Sequence, residues 1–414
     1  MVVNGAKCRC GKVHTCGLKT ALVRENAIAE LGALAAEYHK IVYVADKNTD
    51  AVCGAAVRAQ VAEKLAGSIV YPDEGFLVPN ESAVERLEAV TPPDADLLLG
   101  VGSGVIQDLC KYVSFGRKLP YFVVATAPSM DGYASSGAAM IMGGMKITYA
   151  AHVPEVILGD VNVLKDAPMD MIRAGYGDIL GKFSCLNDWK LAVTVNGEYF
   201  CQEVYDMMYG MLLQVKDLGP ELLARKPAAI AALTEALIGA GVAMAYAGNS
   251  RPASGSEHHL SHFFEVVGLL RGEPYFLHGI DVAYSAVVTE KLREKLLAKT
   301  PTFTPKPFDR AAWEAEIRRV YGTSADGVIA LQNRLGWHEQ DRTAEYREKW
   351  DAICSVLREV PSSDELQRYL DSVELPPERF TAQYGDEKLA DAIRCAMDLK
   401  DRYSVLWLYN ALEG

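Results

Sequence analysis

The chain is short of histidine, of positive charge and of signals for export. It has 8 histidines in 414 residues, so where they fall is informative. Lys plus Arg number 42 against 54 Asp plus Glu, a formal net charge of −12. A surface this acidic disfavours nonspecific binding to nucleic acid or anionic membrane, although a local cationic pocket can still take an anionic substrate. The opening "MVVNGAKCRCGKVHTCG" lacks the apolar stretch of a signal peptide. One segment, "AAIAALTEALIGAGVAMAYAG" (228–248), is long enough to cross a bilayer. It is mostly Ala and Gly and carries Glu235, so a helix buried inside the protein is expected instead. These features predict a cytoplasmic protein with no membrane span and no nucleic-acid partner.

The nine cysteines are odd in number and widely scattered, which argues against a disulfide framework. Cys8, Cys10 and Cys16 do cluster with His14. The cluster looks like a zinc site, but the spacing C-x-C-x3-H-x-C matches no familiar zinc module; a short surface strand or hairpin is the expectation there, with a structural metal site as the alternative. There is no internal repeat and no low-complexity tract.

The length is too great for one compact core and implies two domains. "IVYVAD" (41–46), "SIVYP" (68–72), "LLLGVG" (97–102) and "YFVVATAP" (121–128) read as buried strands ending in turn residues. Helical patterns at 50–66 and 82–89 lie between them, and "EVILGDVNVL" (155–164) offers another strand. Strand–helix alternation implies a parallel sheet covered on both faces. From about Pro168 strand signals nearly vanish. Helical stretches follow at 169–192, 201–218, 227–246, 256–270, 279–297, 310–321, 342–356 and 363–373, with a proline-rich connector at 299–309. The expected architecture is an α/β Rossmann-like nucleotide-binding domain, residues 1–166, then an all-α metal- and substrate-binding domain, residues 167–414, with a cleft between them.

Several segments carry candidate chemistry. "LLLGVGSGVIQDLCKY" (97–112) is a strand, a glycine-rich turn and a helix, in which Gly102, Ser103 and Gly104 would let backbone N–H groups approach a phosphate. It is G-x-G-x-G and not the strict dinucleotide fingerprint. Asp46 ends a strand, where it suits either an adenosine ribose or a helix N-cap. "ATAPSMDGYASSGAAM" (125–140) supplies small and hydroxylic residues, Thr126, Ser129 and Ser135 among them, around one charge, Asp131. "AGYGDILGK" (174–182) places Asp178 early in a helix after glycine turns, as a cap or as a hard oxygen ligand. "RPASGSEHHLSHFFE" (251–265) concentrates three of the histidines. If it is helical, His258 and His262 share a face and His259 points elsewhere. His278 precedes Gly279 at a helix start. Asp178, His258 and His278 would make a three-ligand metal site with open positions; buried histidines satisfied by hydrogen bonds are the alternative.

The motifs "GVGSGVIQD", "TAPSMDGYASSGAAM", "GYGDILGK", "RPASGSEHHLSH" and "LHG", in this order and spacing, resemble sn-glycerol-1-phosphate dehydrogenases, most of all the bacterial branch. These belong to the dehydroquinate synthase-like and iron-containing alcohol dehydrogenase-like superfamily. The likeness covers roughly residues 20–300. It implies a dehydroquinate synthase-like fold and a metal on Asp178, His258 and His278. It also implies substrate contacts by His262 and Asp131, and nicotinamide-dinucleotide contacts by Gly102, Ser103, Gly104, Asp108, Thr126, Ser129 and Ser135. Asp46 matches the adenosine-ribose contact, and His259 has no matching role. The implied reaction is the reversible reduction of dihydroxyacetone phosphate to sn-glycerol-1-phosphate with NAD(H) or NADP(H) and one divalent metal, zinc, nickel or iron. A homo-oligomer, as a dimer, belongs to the same expectation.

In this reading His262, or a water it orders, supplies the proton, and Arg251 and Lys182, which flank the ligand segments, are the candidates for the substrate phosphate. The rival is a glycerol or other polyol dehydrogenase on the same fold. A non-catalytic nucleotide-binding protein is the alternative from another class.

Overall fold

Odd and even positions of the strands go to opposite faces of one sheet, and both faces are buried. The structure, a computed structural model, describes residues 4–72, 77–143 and 145–413. Its strands are β1 (Thr20–Arg24), β2 (Ile41–Asp46), β3 (Leu65–Tyr71), β4 (Leu97–Gly102), β5 (Tyr121–Ala125), β6 (Gly137–Met142), β7 (Met145–Ala150) and β8 (Val156–Asp160). Six form a parallel sheet in the order β1-β8-β5-β4-β2-β3; β6 and β7 pair separately as an antiparallel hairpin. Ile41, Tyr43, Leu97, Leu99, Phe122 and Leu158 pack on one side under Ile28, Leu31 and Val57. Val42, Val44, Leu98, Val123 and Ile157 pack on the other, in a core that runs on into the helices that follow.

The sheet's helices include α1 (Ala55–Val61), α2 (Glu81–Val90) and α3 (Gly104–Arg117). The chain order reverses between β2 and β4, which are neighbours in the sheet. In an open parallel sheet the crevice at the carboxyl ends of such a strand pair is the ligand site. Asp46 and Gly102 occupy those two ends.

All eight strands end by Asp160, and helices follow from Met169. The first are α4 (Met169–Leu180), α5 (Lys182–Asn196), α6 (Gln202–Val215), α7 (Pro227–Ala247), α8 (Ser256–Arg271) and α9 (His278–Leu297). The apolar segment at 228–248 is α7, which packs against α4, α6 and β1 with Ile230, Leu233, Leu237 and Ala243 buried.

Some boundaries differ from expectation. The helix expected over 169–192 is divided at Gly181, where a Cβ would lie 2.4 Å from Val282 Cγ1. The one expected over 342–356 is divided at Lys349 into Thr343–Glu348 and Trp350–Leu357. β1, the β6–β7 hairpin and the helices Ala325–Leu335, Pro377–Cys395 and Val405–Leu412 were not anticipated. β1 is an edge strand whose residues are partly buried or exposed, so its apolar alternation is weak.

Candidate active site

Glycine brings the site's elements together. At Gly279 on α9 a Cβ would sit 1.9 Å from Ala174 O of α4, and at Gly175 a Cβ would sit 1.9 Å from Pro128 O. Only hydrogen fits at either contact. α4 therefore meets α9 and the loop after β5 at backbone distance. Asp178, His258 and His278 converge as a result, with one ligand atom from each lying within 4.8 Å of the others.

Asp178 is not early in its helix. It lies near the C-terminal end of α4, and the glycines before it are helical positions of close contact rather than turns. It caps nothing and is fully buried. Its Oδ2 accepts the amide N–H of Asp131 at 3.0 Å, and its Oδ1 accepts from Lys182 Nζ at 2.8 Å. Lys182 also donates to Asp131 Oδ2 at 2.5 Å and to Ala253 O at 2.9 Å. His258 Nε2 faces Asp178 Oδ1 at 3.5 Å, while its Nδ1 lies 2.6 Å from Glu257 Oε1. His278 Nδ1 lies 3.2 Å from Ser261 Oγ. His262 is half-buried on the same face of α8, its ring 6.1 Å from that of His258 and 5.4 Å from that of His278. His259 is buried on another face, its ring nitrogens have no hydrogen-bond partner among the described residues, and burial holds its pKa well below the usual value.

The donor set fits a divalent metal. One carboxylate and two imidazoles leave coordination positions open. With the Nδ1 atoms of His258 and His278 occupied by Glu257 and Ser261, the Nε2 atoms remain as ligands. The charge also fits. Among the described residues, Asp131, Asp178 and Glu257 bring three carboxylates against the one ammonium of Lys182, an excess of carboxylate at a buried point. Burial opposes ionisation of Asp178, but Lys182 and His258 override it and hold its pKa far below the usual carboxylate range. Burial and the Asp178 charge raise that of Asp131. Burial also opposes charge on His258, and its bonds to Asp178 and Glu257 prevail and raise its pKa.

The residues expected at the dinucleotide lie at the carboxyl ends of the sheet strands and just beyond them. Ser103, the residue before α3, makes no side-chain cap; its carbonyl accepts from Gln107 N at 3.1 Å, and its hydroxyl leaves the first amides of the helix uncapped. At Gly102 a Cβ would meet Ile106 Cβ at 2.7 Å, so that glycine serves helix–strand packing; Gly104 has only Met130 Cγ at 4.0 Å and is the open position. Met130 belongs to the loop that carries Thr126, Ser129 and Asp131. Asp46 is a helix cap here: its Oδ1 accepts from the amides of Asn48 and Thr49, both at 2.9 Å.

Three expected contacts are placed otherwise. Arg251 is buried and donates to Tyr403 O at 2.7 Å and Glu198 Oε1 at 2.6 Å. Lys182 lies at the site, but its three donors serve Asp131, Asp178 and Ala253. Both side chains are engaged by protein acceptors in this structure. The Ser135 hydroxyl is engaged inside its own loop by Lys111 Nζ at 3.0 Å and Gly132 O at 3.0 Å.

Sequence reasoning overlooked two residues. Lys111 is a buried lysine that also donates to Gly132 O at 2.5 Å and lies 3.8 Å from Asp108 Oδ1, clamping the loop after β5. A lysine within the apolar run of α3 was its only signal. Glu257 precedes His258, and neighbours on a helix point about 100° apart, so adjacency gave no reason to pair them. The pairing arises because both lie in the first turn of α8.

Against this geometry stand the similarities to known proteins. Residues 22–168 match the family model described as iron-containing alcohol dehydrogenase. A protein of Halalkalibacterium halodurans named glycerol-1-phosphate dehydrogenase (NAD(P)+) is 30% identical, covering 98% of this chain and 96% of the relative. The chain belongs to the glycerol-1-phosphate dehydrogenase family. A family member from Geobacillus stearothermophilus is 33% identical over 74% of this chain and 79% of its own length. Among solved structures, a glycerol dehydrogenase from Schizosaccharomyces pombe shares the fold with a TM-score of 0.54 at 16% identity, covering 89% of this chain and 92% of that one.

Proposed function

We propose that the chain reduces dihydroxyacetone phosphate to sn-glycerol-1-phosphate, reversibly, as a metal-dependent NAD(P)H-linked dehydrogenase. The observation that carries the reading is the convergence of Asp178, His258 and His278 in a chain similar from end to end to a glycerol-1-phosphate dehydrogenase. Two domains, 1–166 and 167–414, belong to the proposal, with the dinucleotide on the first and the metal on the second.

When bound, the metal supplies Lewis acidity toward the substrate C2 oxygen and NAD(P)H supplies the hydride. Asp178, His258 and His278 would hold the metal. Gly102, Ser103 and Gly104 at the start of α3, with Asp108, Thr126 and Ser129 beside them, would receive the dinucleotide, and Asp46 its ribose. Asp131, kept in place by Lys182 and by its own amide on Asp178, orients a substrate hydroxyl. His262, half-buried beside the two metal-ligand histidines, holds the proton that the C2 oxygen needs as its carbon is reduced.

One observation favours the glycerol or polyol dehydrogenase reading: both cations expected at the phosphate are committed elsewhere. NADH oxidation with dihydroxyacetone phosphate against dihydroxyacetone, with and without a chelator, separates the two. Turnover of the phosphate ester, lost on chelation and restored by a divalent metal, is expected. Equal or faster turnover of the free ketone moves the protein to the polyol dehydrogenases.

The net charge of −12 and the packing of α7 support a cytoplasmic enzyme of a small phosphorylated substrate. A homodimer is the assembly to check by light scattering.

A further inference from the structure

A second group of metal-ligating side chains lies apart from the active site. Its ligand atoms come from Cys8, Cys10, His14 and Cys201, all within 4.8 Å of one another. Cys16, which the spacing alone grouped with the others, is replaced by a cysteine from 185 residues later; its own backbone amide instead meets Asn4 Oδ1 at 2.9 Å.

The first three ligands sit on a tight reversal of chain. Lys7 and Val13 form an antiparallel bridge, Cys8 N donates to Lys12 O at 2.8 Å and Gly11 N to Cys8 O at 3.0 Å. Gly11, at φ +89°, makes the turn that lets Cys8, Cys10 and His14 face one point. Cys201 is the residue before α6, and the backbone amides of Val204 and Glu203 point at its sulfur. The amide of Lys12 does the same for Cys10.

The distances have the right scale. Cys8 and Cys201 Sγ are 3.6 Å apart, Cys10 Sγ is 3.3 Å from His14 Nε2, and Cys201 Sγ is 3.4 Å from the same nitrogen. Ligands around a tetrahedral zinc, with Zn–S about 2.3 Å and Zn–N about 2.0–2.1 Å, stand about 3.5–3.8 Å apart. His14 is buried, and its Nδ1 lies 2.6 Å from Tyr246 O, so Nδ1 carries the proton and Nε2 presents its lone pair to the sulfurs. That bond supplies the outer partner that a zinc-ligating histidine needs.

We propose that Cys8, Cys10, His14 and Cys201 form a closed structural zinc(II) site of the Cys3His type. Three soft thiolates and one imidazole in a tetrahedral closed set select zinc over hard oxygen-seeking cations. With four protein ligands it has no open position and takes no part in turnover. It pins the N-terminal reversal to the start of α6 and, through His14, to the end of α7.

The test uses the full chain as purified under reducing conditions. Elemental analysis of the His258→Ala variant, whose active-site metal is removed, is expected to show one zinc per chain. Adding a mercurial that blocks thiols should release that zinc to a chromogenic chelator from the variant and from wild-type enzyme alike. Cobalt(II) substitution should give a thiolate-to-cobalt charge-transfer band, lost in Cys8→Ser/Cys10→Ser, whose dihydroxyacetone phosphate turnover at moderate temperature stays near wild type. Metal-free His258→Ala and no mercurial release from wild type would overturn the site. So would a Cys8–Cys201 disulfide found by non-reducing peptide mapping in the reduced preparation.

Discussion

His258 Nδ1 lies 2.6 Å from Glu257 Oε1, with both side chains closed off from solvent. The contact fixes the imidazole tautomer so that Nε2 faces Asp178. Glu257 Oε1 also accepts from Gly255 N at 2.9 Å, which holds the carboxylate in position. Outer partners of metal-bound histidines typically account for about 10–100-fold in metal affinity. Glu257→Gln is therefore expected to weaken the active-site metal by about that factor while its amide oxygen keeps the Gly255 bond. Competition against a chelator of known affinity, with circular dichroism to check the fold, measures it. An unchanged affinity would remove Glu257 from the site.

Among the described residues, Lys182 is the only ammonium among three carboxylates at the site's centre. Lys182→Met leaves the charges of Asp131 and Asp178 buried without it, a loss on the order of 3–5 kcal/mol where a buried pair is broken. A bound divalent cation offsets much of that loss. The expected result is a large drop in melting temperature for chelated Lys182→Met and a smaller one for the metal-loaded variant, compared with wild type in each state. Equal drops in both states would mean that the ammonium and the metal do not share the same negative charge.

The parallel sheet was legible because β2, β4 and β5 are short apolar runs ending in turn residues, and burial on both faces produces that pattern. His258 and His262 were legible as one face because four residues make one helical turn. What the sequence hid were contacts between distant segments. The spacing around Cys8 pointed to Cys16, whereas the fold supplies Cys201. Gly175 and Gly177 read as turn residues, and only the approach of Pro128 and Gly279 explains them inside a helix. Arg251 looked free for phosphate because its acceptors, Glu198 and Tyr403, lie far from it in sequence.

Asp46 caps a helical turn through one oxygen and stands at the carboxyl end of β2. A carboxylate there repels the 2′-phosphate of NADP(H). Asp46→Gly would remove the cap and the charge together. Asp46→Asn keeps the cap, since Asn and Asp serve equally well there. The expectation is a higher ratio of NADPH to NADH kcat/KM in Asp46→Asn with little change in melting temperature. Steady-state kinetics with both cofactors checks it, and an unchanged ratio would mean that Asp46 serves only as a cap.

Glu290 on α9 is buried 3.7 Å from Arg293. Burial raises its pKa, and despite the pull of Arg293 the pushes from Glu294 and Asp188 help bring it to about 7. In the unfolded chain a glutamate titrates near about 4.3, so the folded state binds this proton more tightly. Below both values the group is protonated in either state and contributes no difference. As pH rises through this window the unfolded chain ionises first, and folding stability falls until the folded carboxyl has also lost its proton. The full loss is about 4 kcal/mol at most. Glu290→Gln, neutral at every pH, should therefore melt higher than wild type at about pH 8, with the advantage shrinking toward about pH 4. Thermal melts of the two proteins across that range decide it. A gap that stays constant with pH would mean that Glu290 is already ionised in the folded enzyme under acidic conditions, stabilised by Arg293.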